Sequence, residues 1–138
     1  MRGRKVEMKT EYQFSFERLR VWQASREFVK DIYNVTNGFP KEEKYCLVDQ
    51  LRRAVISISS NISEGSSRLT SKDQAHYTNL AYSSLMEVLN QLYIANDLNY
   101  ISKEIFLELK KKISEISNQL NALRISQLNS STIKQINN

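Results

Sequence analysis

The chain has 138 residues and a formal charge of +5, with only three glycines and one proline to supply turns and sheet bends. That length suffices for one domain with a real core, and the scarcity of turn residues favours a few long helices over a sheet. One cysteine (Cys46) excludes an intramolecular disulfide, one histidine (His76) excludes a histidine-based metal cluster, and no apolar run reaches the ~20 residues of a membrane span.

Residues 1–14 are charged and lack periodicity, with Arg2, Arg4, Lys5 and Lys9 outnumbering Glu7 and Glu11. They are expected to form a flexible basic arm. No apolar segment follows Met1–Lys9, so a secretory signal is not expected and the cytoplasm is the expected compartment. The bundle itself is expected over 15–127, with a polar C-terminal tail over 128–138.

The first helix should begin between Ser15 and Arg20 and end near Thr36, with Leu19, Trp22, Val29 and Ile32 on one face. Asn37-Gly38 supplies a stop, because both residues tolerate left-handed backbone. The second helix is expected from Pro40, in its first turn, to Glu64, with Gly65 as C-terminal cap. Cys46 should pack in its first turns.

Two stripes run along this second helix. Leu51, Val55, Ile58 and Ile62 form the apolar seam. Beside it Arg53, Ser57, Asn61 and Glu64 form an ordered polar row. On a buried stripe these charges would be costly unless paired. Three readings stay open, in this order: a polar network with Glu87 inside the chain or between subunits, the lining of a groove or channel, and direct phosphate contact through Arg53 and Arg68.

The third helix is expected from Ser71, with Ser71 and Gln74 spaced as a capping box, to about Asn99. Its apolar positions exceed one core stripe, and Tyr82, Met86, Leu89 and Tyr93 are therefore expected at a subunit interface, the alternative being a wide core face with some exposed tyrosine. The fourth helix should run from Lys103 to Ile125. Leu109, Ile113, Ile116, Leu120 and Leu123 give it a heptad seam, and Lys110, Lys111 and Lys112 an outer basic face. Glu108 and Lys112 have the spacing of an ion pair. These segments predict an all-α fold, an antiparallel up-down-up-down four-helix bundle.

No convergent titratable set suggests catalysis, and no catalytic residue, metal ligand or cofactor is expected. Candidate RNA contacts are Arg2, Arg4, Lys5, Arg52, Arg68, Lys72, Lys110 and Lys111.

Several pieces recur together: Phe16-x-x-Leu19-x-Val21-Trp22-Gln23, Phe39-Pro40-x-x-Glu43-x-Tyr45, Gln50-Leu51-x-Arg53-Ala54 with Ser57, Asn61-Ile62-x-Glu64-Gly65-x-x-Arg68, and Ser84-Leu85-x-Glu87. In this order the set resembles the four-helix-bundle proteins encoded by intervening sequences of 23S ribosomal RNA genes. Ser83 and Cys46 stand where that family usually has glycine. The resemblance implies a ring-forming bacterial bundle, commonly a homopentamer, associated with ribosomal RNA. A related group serves as accessory protein of diversity-generating retroelements, where a basic pentamer engages a reverse transcriptase and RNA. The expectation is a non-enzymatic oligomer that binds RNA or a ribonucleoprotein; the alternative is a protein-interaction scaffold or accessory subunit with no direct RNA role.

Overall fold

The computed structural model describes residues 12–137, with side chains described over 12–130. Arg2, Arg4 and Lys5 of the expected arm lie outside the described residues. A 3-10 turn, Ser15–Arg18, leads into α1 (Arg20–Thr36). A second, Lys41–Glu43, precedes α2 (Leu47–Ser66), followed by α3 (Ser71–Asp97) and α4 (Lys103–Asn137). Among the described residues there is no strand. Each helix packs on its neighbour in sequence and α4 closes back on α1, while the diagonal pairs stay apart. This is the antiparallel four-helix bundle that the apolar seams predict.

The seams meet at the centre. Phe28 and Ile32 of α1, Leu51, Val55 and Ile58 of α2, Leu85 and Leu92 of α3, and Leu120 of α4 are fully buried. The heptad seam of α4 faces inward as expected at Leu109, Ile113, Ile116 and Leu120, with Leu123 partly buried at its edge. Two buried hydroxyls on α1 are satisfied locally: Ser25 donates to the Val21 carbonyl and Thr36 to the Ile32 carbonyl, each at 2.7 Å.

The helix ends differ from expectation in instructive ways. Pro40 does not open α2. It starts a 3-10 turn, in which Glu43 N donates to Pro40 O at 2.9 Å and Lys44 N to Lys41 O at 3.1 Å. Cys46, at φ −119° and ψ −102°, separates that turn from α2 and is exposed rather than packed. The Glu43 carboxylate then accepts the Leu47 N–H at 3.1 Å, satisfying an orphan donor of the first turn of α2.

Asn37 stays in the right-handed region at φ −58°, so α1 ends without the expected left-handed stop. That geometry occurs at Asn99, φ 63°, which closes α3. Here Tyr100 N donates to Ala95 O at 2.9 Å and Asn99 N to Asn96 O at 3.0 Å. The pair forms a Schellman motif, in a conformation asparagine tolerates better than most side chains.

Thr70, one residue before the expected cap, accepts the Asp73 N–H at 3.1 Å and starts α3. Gly65 lies inside α2, buried against α3, and is not its cap. The fourth helix continues past Ile125 to Asn137, so its backbone runs through most of the stretch expected as a polar tail.

Candidate functional site

The polar row on α2 divides into separate local groups. Arg53 pairs with Asp49 one turn earlier, Nε to Oδ2 at 3.0 Å, and its side chain is 80% exposed. Ser57 meets Ser84 of α3 at 2.9 Å, and Asn61 donates to the Ser57 carbonyl at 2.9 Å and to its hydroxyl at 3.0 Å. Glu64 accepts from Arg68 at 3.0 Å. Glu87 is exposed and joins none of these groups. Within one chain, therefore, Arg53, Glu64 and Glu87 are not brought together. A charged network inside the chain is therefore corrected, because the row lies at the solvent edge of the α2–α3 contact, where ion pairs carry little desolvation cost.

Arg68 is the more constrained arginine at the far end of the row. Its guanidinium lies over the Tyr77 ring, 4.4 Å from the centroid, and donates to the Tyr77 hydroxyl. Its Nε sits 3.8 Å from Asp73 Oδ2, an ion pair too long for a hydrogen bond. Two carboxylates thus flank Arg68, and its charge is largely answered inside the chain.

Arg52 is held differently. Its Nε donates to Thr36 Oγ1 and one Nη to Asn37 Oδ1, both at 3.0 Å, with the guanidinium 4.3 Å from the Tyr33 ring centroid. Thr36 can accept because its own proton goes to the Ile32 carbonyl. These partners are neutral, so they orient the guanidinium without cancelling its charge. A cleft of about 210 Å³ opens beside it, lined among others by Thr36, Asn37, Lys41, Lys44, Val48 and Arg52. Sequence reasoning named Arg52 but missed Lys41 and Lys44. Their i, i+3 spacing after Pro40 was the available signal.

The remaining basic candidates are dispersed. Lys72 and Lys111 are exposed. Lys110 donates to the Tyr93 hydroxyl at 2.7 Å. Lys112 bridges α4 to α1 through Asp31 at 2.7 Å, in place of the expected pair with Glu108, because a neighbouring helix presents a closer carboxylate.

On α3, Tyr82, Met86 and Leu89 are partly buried against the core of their own chain, which accounts for part of the apolar excess. Tyr93 packs on Phe106 with ring centroids 4.6 Å apart and remains 41% exposed. Leu80 and Ile94 also reach solvent from α3, and Leu98 does so from its C-terminal cap.

Burial, followed by the negative charge of Glu43, raises the phenol pKa of Tyr100 above its ordinary value; its hydroxyl donates to Glu43 at 3.3 Å. His76 is exposed and sits edge-on to Tyr77. Among the described residues no group of three or more His, Cys, Asp and Glu side chains is placed to hold a metal ion. Nor, among the described residues, is any helix long and apolar enough to cross a membrane.

The model of the family described as 23S rRNA-intervening sequence protein matches residues 17–122. Among solved structures, the chain is similar to a protein of unknown function from the S23 ribosomal protein family of Bacteroides thetaiotaomicron. The TM-score is 0.68 at 23% identity, over 75% of this chain and 97% of that one. At that identity the likeness bears on the fold. No curated protein matches the chain.

Proposed function

The chain belongs to the 23S rRNA-intervening sequence protein family, and on that premise we propose that it is a non-enzymatic bundle that binds RNA, or RNA within a ribonucleoprotein, through its basic surface. The observation that carries this reading is the cleft at the α1–α2 corner, where Lys41, Lys44 and Arg52 converge without a carboxylate in its lining. Lys72 and Lys111 are exposed elsewhere on the bundle and add to its positive charge. Such contacts favour phosphate over base edges and position RNA without reading its sequence.

We also propose that the bundle works as a homo-oligomer, a pentamer being the expected form, in the cytoplasm. Residues 1–14 would act as a basic arm outside the bundle. The outward apolar side chains of α3 support subunit contact, and equally support the second reading, an accessory subunit that docks a protein partner there.

The test is fluorescence anisotropy of a labelled 23S rRNA fragment at rising salt. Binding through several phosphates should fall steeply between about 50 and 200 mM salt, by ~10³-fold or more for six or more contacts. A flat salt response, or no binding at low salt, refutes the RNA reading.

A further inference from the structure

The α1–α2 corner has the chemistry of a specific anion site rather than a diffuse basic patch. We propose that the cleft formed by Arg52, Lys41 and Lys44 is a phosphate-binding pocket that seats one phosphate group of an RNA backbone. This deepens the RNA-binding reading and rests on it for the source of the phosphate.

Orientation comes first. Two of the five guanidinium N–H donors of Arg52 are spent on Thr36 and Asn37, and its plane is fixed against Tyr33. Three donors remain for a ligand, held in the planar fork that matches phosphate oxygens. Because the group is already immobilised, little side-chain entropy is lost when an anion arrives.

Charge comes second. Among the described residues, Arg53, Arg68, Lys30 and Lys112 each pair with a carboxylate, whereas Lys41, Lys44 and Arg52 pair with none. Of the nearby acids, Glu42 is exposed on the same 3-10 turn and does not line the cleft, and two others have partners of their own. Glu43 is committed to Leu47 N and the Tyr100 hydroxyl, and Asp49 to Arg53. Three positive charges therefore share one concavity of about 210 Å³ without an acid in its wall. Like charges this close repel one another, and a bound anion relieves that repulsion.

Local structure fixes the two lysines. The 3-10 turn Lys41–Glu43 places i and i+3 on the same side, so Lys41 and Lys44 flank the mouth together. Thr36 and Asn37, at the end of α1, supply the opposite wall.

The test leaves Arg52 in place, because it also ties α2 to α1. Lys41→Gln/Lys44→Gln removes two exposed charges, and Lys30→Gln/Lys103→Gln, two exposed lysines on other helices, removes the same charge as a control. RNA affinity is followed against salt for both variants and the parent, with circular dichroism confirming the fold. The pocket variant should lower the slope of log affinity against log salt by about one, the signature of one lost phosphate contact, and weaken all RNA sequences alike. The control should change the slope by less than about half as much. If the parent binds RNA with a steep salt dependence and the two variants match, the pocket is refuted and the RNA reading stands. If the parent binds no RNA, the RNA reading fails. The pocket is then tested with inorganic phosphate, following the Arg52 Nε–H resonance. A saturating shift that Lys41→Gln/Lys44→Gln abolishes supports a free-phosphate site; no shift overturns the pocket.

Discussion

Replacing Gly65 with alanine tests why glycine stands where α2 meets α3. Helix propensity alone favours alanine by about 1 kcal/mol, since Gly65 lies inside a helix and has no positive φ to defend. Packing opposes it. A β-carbon at Gly65 would lie 2.8 Å from the Tyr77 β-carbon and 3.4 Å from the Gln74 carbonyl oxygen. Neither atom is the free end of a flexible chain, so the two helices must move apart. Overpacking of this kind costs about 1–3 kcal/mol. The net expectation for Gly65→Ala is a loss of up to about 2 kcal/mol, with roughly 4 °C in Tm for each kcal/mol in a chain of this size. Urea and thermal unfolding by circular dichroism, at matched protein concentration, measure it. A Tyr77→Ala background sharpens the test. Alanine keeps the offending β-carbon, so the Gly65→Ala penalty should persist there and shrink only with Tyr77→Gly. Stabilisation by Gly65→Ala, or relief by Tyr77→Ala, would refute the close-approach explanation.

Arg53→Ala should lower the stability of the chain by less than about 1 kcal/mol in urea unfolding, because the Asp49 pair is a solvent-exposed helical one. A loss of about 3–5 kcal/mol, or a fall in sedimentation coefficient relative to the parent, would instead place Arg53 in a buried pair between subunits of the proposed oligomer. Tyr100 should titrate above the ordinary tyrosine value of about 10. Since the folded chain favours the neutral phenol, its contribution to stability is complete below the unfolded pKa and is lost as pH rises through the folded one. Tyrosinate absorbance against pH should lose its highest-titrating component in Tyr100→Phe; an unchanged profile would exclude Glu43 and burial as the cause.

The helix count and the buried seams were legible because a 3.6-residue period survives any packing arrangement. Leu51, Val55, Ile58 and Ile62 could only serve as one face. Ends were harder to read, since they are decided by single hydrogen bonds. The Glu43 carboxylate on Leu47 N sets the start of α2, and nothing in the run from Pro40 to Leu47 distinguishes that from an unbroken helix. Gly65 looked like a cap because glycine often ends helices, whereas its reason here is the approach of Tyr77 from another helix. The row from Arg53 to Glu64 was legible in direction but not in depth: periodicity gives an angle around the axis, not the distance to solvent.

The basic residues show the same limit and indicate how structure ranks what sequence only enumerates. Arg52 and Arg68 are equivalent as letters, and both stack on a tyrosine. They differ in what accepts their hydrogen bonds. Arg68 is met by Glu64 and approached by Asp73, so an incoming phosphate would have to compete with carboxylates already in place. Arg52 is met by a hydroxyl and an amide oxygen, which fix its geometry and leave its charge whole. Orientation without neutralisation is the combination an anion site requires, because the ligand then gains a full Coulomb partner with little reorganisation. Lys41 and Lys44 gain their place by the same criterion: they share the cleft of a guanidinium that the fold has aimed but not discharged.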